Sequence, residues 1–156
     1  DNKTASRLGL SAALGALSVG ASREEVDRMR KFGEAIGIAF QIQDDILDYA
    51  GTESVGKPLG VDILEQKMTM PLLGAFVNAG ASEEERIRGV VRNIVDHPEG
   101  RNEIVSFVKD NGGLEYAVDQ LDKYVAQAVE ALKVLPESKE KEMLVELAYF
   151  TARRSM

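Results

Sequence analysis

Cysteine is absent from the 156 residues, tryptophan is absent as well, and His97 is the single histidine. These gaps exclude disulfides, thiolate metal sites and cysteine nucleophiles, and they leave almost no room for histidine-based metal or triad chemistry. Any catalysis must run on carboxylates, lysines, hydroxyls or a bound ion. The lack of cysteine is compatible with a reducing compartment, and a cytoplasmic setting is expected. Apolar runs approaching the ~18 residues of a membrane span are also missing, so no transmembrane segment is expected. Basic blocks are missing too: 19 Lys and Arg face 26 Asp and Glu, a formal charge of -7, which gives no electrostatic footprint for nucleic acid.

What is present describes a packed chain. Hydrophobic residues make up 44% and charged residues 29%, enough apolar surface for a core and against disorder. Lys3 and Arg7 ahead of Leu8 to Val19 have the outline of a signal peptide, yet no initiator Met precedes them. Leu10, Leu14 and Leu17 recur at spacings of four and three with Ala and Gly between, which reads as a helix stripe packed closely against neighbours. A chain opening at Asp1 just before a helix is read as starting within a longer protein.

Helix signals dominate. Ser22-Arg23-Glu24-Glu25 is a capping box opening a helix to about Tyr49, and Ser82-Glu83-Glu84-Glu85 opens another with acids on the positive end of its dipole. Pro71 suits the first turn of a helix through Asn78. Gly112-Gly113 separates a helix near Glu103 to Asp110 from a longer one near Leu114 to Leu135, and a last helix runs past Pro136 and Ser138 to about Arg154. No stretch alternates as a strand does. The expectation is an all-α single helical unit over residues 1 to 156, interrupted by one irregular Gly-rich segment from Gly51 to Asp62.

The most informative residues are Phe40-Gln41-Ile42-Gln43-Asp44-Asp45-Ile46-Leu47-Asp48. With 10 Asp in the chain, an Asp-Asp-x-x-Asp match arises by chance roughly 0.04 times, and Asp is a poor residue for mid-helix. At ~100° per residue, with Asp44 at zero, Asp48 falls at ~40°, Gln41 at ~60° and Asp45 at ~100°. Three carboxylates on one face, with no positive residue between Glu34 and Lys57, repel one another unless a cation sits among them. Oxygen-only ligands select Mg2+, Mn2+ or Ca2+, and a helix-borne set suggests diphosphate held through metal. The plain alternative is an acidic strip facing solvent. Downstream, Lys57 and Lys67 flank the Gly-rich segment and can supply direct cationic contacts to the same phosphates. Gly33, Gly37 and Phe40 fall on the aspartate side of the wheel one to three turns earlier. They either leave room for an apolar chain or pack closely against another helix.

The ordered set Lys3-Thr4, Phe40-Gln41, Asp44-Asp45-Ile46-Leu47-Asp48, Gly56-Lys57 with Gly60 and Asp62, then Lys67 and Thr69, resembles the C-terminal half of the trans-isoprenyl diphosphate synthases, or polyprenyl synthetases. The motifs span residues 1 to 75, and the remainder is similar only in helical pattern. The resemblance implies the C-terminal part of the isoprenoid synthase helical bundle, whose helices surround a central cavity with two aspartate-rich motifs facing across it. Asp44, Asp45 and Asp48 match the second motif. In this family Mg2+ held by the two motifs bridges an allylic diphosphate, which ionises; isopentenyl diphosphate attacks the cation, and proton loss completes a five-carbon extension. Lys3, Thr4, Gln41 and Lys67 match positions at the allylic diphosphate and reacting end, and Lys57 matches a further phosphate-binding lysine. A homodimer is implied by the resemblance alone.

Nothing in residues 1 to 43 resembles the first aspartate-rich motif or the basic residues that bind isopentenyl diphosphate, so the chain reads as half an active site and is expected to be inactive alone. The leading expectation is a medium- or long-chain all-trans synthase. The alternatives are a short-chain farnesyl or geranylgeranyl synthase, a silent subunit of a heteromeric synthase, or a non-enzymatic helical module.

Overall fold

A computed structural model of the chain describes residues 2–50 and 60–153. Eight α-helices occur among these residues, α1 Asn2–Ser18, α2 Arg23–Ala50, α3 Val61–Leu64, α4 Met70–Asn78, α5 Ala81–Arg92, α6 Arg101–Asp110, α7 Gly113–Ala131 and α8 Lys139–Arg153, with 3₁₀ turns at Pro98–Gly100 and Leu132–Val134. No strand occurs among the described residues, so the all-α expectation holds. Most of the Gly-rich segment, with Gly56, Lys57 and Pro58, and also Arg154, lie outside them.

The helix starts follow their local chemistry. The Ser22 amide donates to Glu25 Oε2 at 2.7 Å and the Glu25 amide to Ser22 Oγ at 3.3 Å, which is the reciprocal capping box read from the sequence. Pro71 sits in the first turn of α4, where its missing N–H costs no helical bond. One start differs: α5 begins at Ala81, because the Gly80 carbonyl already receives the amides of Glu83 and Glu84. Ser82 therefore lies inside the first turn rather than capping it.

The chain divides into two compact units: residues up to Gln43 together with those from Gln120 onward, and Asp44–Asp119. In the first, Phe32, Ala35, Ile36, Ala39 and Ile42 of α2 are buried, as are Leu121, Val125, Ala128 and Ala131 of α7. Helix α1 approaches α2 through its smallest residues. A Cβ at Gly37 would stand 2.5 Å from the Ala5 Cα, and one at Gly33 would run into the Leu8 carbonyl. Close helix contact is thus the reading the structure supports for Gly33 and Gly37; α1 fills the space they leave. The leucine stripe departs from expectation. Leu10, Leu14 and Leu17 are 59%, 53% and 60% exposed, while Ala5, Gly9 and Ala13 are buried. Backbones this close admit only small side chains between them, which turns the leucines outward.

In the second unit Tyr49, Ile63, Leu72, Ala75, Phe76, Ile87, Val91, Ile94, Ile104, Phe107 and Val108 form one buried cluster. The Phe76 and Phe107 rings lie 5.6 Å apart at 47°, and the Arg88 guanidinium covers Phe76 at 4.5 Å, a geometry that adds to area burial alone. This cluster is the floor on which the last turns of α2, helix α3 and the start of α4 rest.

Candidate functional site

The C-terminal end of α2 is tied to the chain that follows it by its own aspartates. Asp48 Oδ1 accepts the Val61 amide at 3.1 Å and Oδ2 the Asp62 amide at 3.2 Å, while its carbonyl accepts the Gly60 amide at 3.0 Å. Gly60 makes this possible: it sits at φ 72°, ψ 26°, the left-handed region that glycine enters without a Cβ penalty. The orphan amides of α3 are therefore capped by a side chain thirteen residues upstream rather than by a local one. Asp45 does the same for α4, its Oδ2 accepting the Met70 amide at 2.8 Å.

Between these anchors the segment from Glu65 to Thr69 carries Lys67. Its ammonium lies 2.6 Å from Asp62 Oδ1 and 2.6 Å from Glu65 Oε2, and these carboxylates hold it well above the ordinary lysine range. Gln66, just before it, adopts φ 57°, uncommon for a residue with a side chain; its side-chain amide donates to the Arg92 carbonyl at 2.9 Å. The Tyr49 and Thr69 hydroxyls are 2.9 Å apart and buried, and burial pushes the Tyr49 phenol up.

Electrostatically the site carries surplus negative charge. Burial raises Asp45 to about 6; the Met70 amide opposes the shift, and Asp62 and Asp44 add to it by repulsion. Asp48 is raised by burial and by Asp62, against the three amides it accepts. Acids held above their ordinary range by desolvation and by one another are relieved by a cation, and an all-oxygen donor set suits a hard divalent one. Among the described residues no three His, Cys, Asp or Glu side chains gather closely enough to hold a metal by themselves. A metal here would complete its shell with ligand oxygens and water, the usual habit of Mg2+.

The structure thus brings Asp45, Asp48 and Lys67 together with Asp62, and Asp44 shares their stretch of α2 as a half-buried residue. Gln41 and Phe40 are half-buried about one turn earlier in α2, and Lys3 (exposed) and Thr4 (half-buried) are in the first turn of α1; all four belong to the first unit. Lys57 lies outside the described residues. Sequence reasoning missed Tyr49 and the backbone-holding role of Asp45 and Asp48. A hint lay in the chain itself, since an Asp near a helix C-terminus is poorly placed for the dipole and needs another partner.

Comparison with known proteins points to one family. The polyprenyl synthetase family model matches residues 1–108. Octaprenyl diphosphate synthase of Haemophilus influenzae is 32% identical over 155 residues, 99% of this chain and 47% of that protein. Geranylgeranyl pyrophosphate synthase from Bacteroides thetaiotaomicron superposes with a TM-score of 0.85 at 39% identity, over 96% of this chain and 50% of the other. The same enzyme from Corynebacterium glutamicum, complexed with calcium and isoprenyl diphosphate, superposes at 0.80 with 32% identity, over 97% and 47%. The chain spans about half the length of the relatives it matches. With the family model matching residues 1–108 and the helices superposing along nearly the whole length of the chain, this chain belongs to the polyprenyl synthetase family.

Proposed function

We propose that this chain is the C-terminal portion of an all-trans polyprenyl diphosphate synthase of medium or long product length, condensing isopentenyl diphosphate with an allylic diphosphate. The observation that carries this reading is the grouping of Asp45, Asp48 and Asp62 with Lys67. Surplus carboxylate beside an exposed ammonium is the arrangement that takes a metal-bridged diphosphate.

In this reading Asp44, Asp45 and Asp48 would hold divalent metal, Mg2+ in the cell. That the Corynebacterium relative is complexed with calcium and isoprenyl diphosphate supports the use of a divalent ion. When bound, the metal neutralises charge developing on the departing diphosphate. Lys67 and Lys57 contact diphosphate oxygens directly. Lys3, Thr4 and Gln41 act at the allylic diphosphate and reacting end, with Phe40 toward the apolar chain. A homodimer in the cytoplasm is part of the same proposal. No described helix is long and apolar enough to cross a membrane.

The test is binding of a non-hydrolysable allylic diphosphate by the full-length protein. Binding that appears with Mg2+ and vanishes with chelator supports the reading, and metal-independent or absent binding leaves Asp45 and Asp48 with the role of holding the chain after α2 and no metal. The purified 156-residue chain should not incorporate isopentenyl diphosphate. A short-chain synthase is the second reading, favoured by the geranylgeranyl synthases among the structural relatives; product length with excess isopentenyl diphosphate decides between them.

A further inference from the structure

Thr69 is the N-cap residue of α4, yet its side chain makes no cap bond. A threonine in that position ordinarily accepts an amide of the first helical turn. Here Pro71, the second residue of the helix, has no N–H to offer, the first amide, that of Met70, goes to Asp45, and the Thr69 hydroxyl is bonded to Tyr49 in the buried interior. Asp45 and Tyr49 are four residues apart and so share one face of α2. They hold two consecutive residues of the incoming chain, one by its backbone and the other by its side chain. The segment they hold contains Gln66 in the left-handed region, a conformation that persists only where its surroundings fix it. Lys67 lies between the unusual residue and the anchored one.

We propose that Tyr49 is a positioning residue for diphosphate binding: through Thr69 it fixes the segment that presents Lys67. This rests on the function proposed above. The bond also satisfies a buried phenol; a bond serving the core alone would have no reason to favour one substrate, and that selectivity separates the two roles.

The experiment is steady-state kinetics of the full-length enzyme with Tyr49→Phe, Thr69→Val, Thr69→Ser and the Tyr49→Phe/Thr69→Val double variant. Tyr49→Phe and Thr69→Val should each raise KM for the allylic diphosphate about tenfold, with kcat and the KM for isopentenyl diphosphate little changed. Thr69→Ser keeps the hydroxyl and should stay near wild type. The double variant should be no worse than either single one, since both ends of one bond are gone. If Tyr49→Phe fails to fold, the Thr69 pair carries the same contrast. A fall in melting temperature with unchanged allylic KM overturns the proposal, as do Thr69→Ser behaving like Thr69→Val and equal changes for both substrates. Lys67→Ala separates the two levels. If it raises the allylic KM while the hydroxyl variants do not, the positioning role alone is wrong; if it changes nothing, the phosphate role of Lys67 is wrong and the inference falls with it.

Discussion

Asp48 and Asp62 attract through one group and repel through another: the Asp62 amide donates to Asp48 Oδ2 at 3.2 Å, while the Asp62 carboxylate helps to raise the Asp48 carboxyl above its ordinary range. The first interaction fixes the chain, and the second leaves an unsatisfied charge that a cation can answer. Lys67, 2.6 Å from Asp62 Oδ1, offsets part of it in this state.

Asp48→Ala strips the acceptor from the amides of Val61 and Asp62 in a partly buried place. It should lower unfolding stability by about 1–3 kcal/mol, with Asp48→Asn intermediate because one oxygen remains. Urea midpoints measure this. Turnover should rank the other way: at saturating Mg2+, Asp44→Ala in the full-length enzyme should cost more than Asp48→Ala, since both Asp48 oxygens already carry backbone amides. Equal or reversed turnover would show that the amides bound by Asp48 do not lessen its share in holding metal.

Asp45 sets a pH dependence whose sign follows from its raised value of about 6 against an ordinary 3.8. In that window the folded protein keeps a proton that the unfolded chain has released. Its contribution therefore favours folding below about pH 4 and is lost as pH rises through about 6. Asp45→Asn should flatten this part of the profile and raise stability at neutral pH by on the order of 1 kcal/mol, after discounting for partial exposure. Added Mg2+ should stabilise the wild type at neutral pH more than the Asn variant. A profile as steep in Asp45→Asn as in the wild type would rule this out.

Gly37→Ala tests how α1 meets α2. The added methyl would stand 2.5 Å from the Ala5 Cα and 3.1 Å from its nitrogen, so backbone must move, at about 1–3 kcal/mol. Gly89→Ala is the control: it lies within α5 with nothing near its added Cβ and should stabilise by roughly 0.5–1 kcal/mol on helix propensity. Two substitutions of one chemistry should thus move thermal midpoints in opposite directions; if both raise them, the close approach of α1 is absent in solution.

Helix existence was legible because it depends on local signals: the Ser22–Glu25 box, Pro71 in a first turn and Gly112 at a break all act within a few residues. The facing of α1 was not, since a leucine stripe and an alanine-glycine stripe on one helix both fit burial, and the choice rests on Gly33 and Gly37 in another helix. The aspartates were legible as a cluster by spacing. That Asp45 and Asp48 also hold Met70, Val61 and Asp62 was not, because those bonds span 13 to 25 residues and follow from how the chain returns after α2. Lys67 was legible as a cation beside the site, but its pairing with Asp62 depends on the turn between α3 and α4 and not on spacing alone.

Lys67 also gives the sharpest contrast between a phosphate contact and a surface charge. Its ion pairs with Asp62 and Glu65 are exposed, and exposed pairs contribute little net stability, so exchanging a carboxylate for a metal-bridged diphosphate meets a small barrier. Lys67→Ala should raise KM or lower kcat for the allylic substrate by roughly one to two powers of ten, the ~1.5–3 kcal/mol of a charge-assisted contact. Lys133 is the control: it too is exposed and paired with a carboxylate, Glu130 at 2.6 Å, and its removal changes net charge equally. Lys133→Ala should leave both parameters within twofold of wild type on that ground. If the two variants behave alike, net charge explains any shared effect, and the segment from Glu65 to Thr69 is a connector between helices.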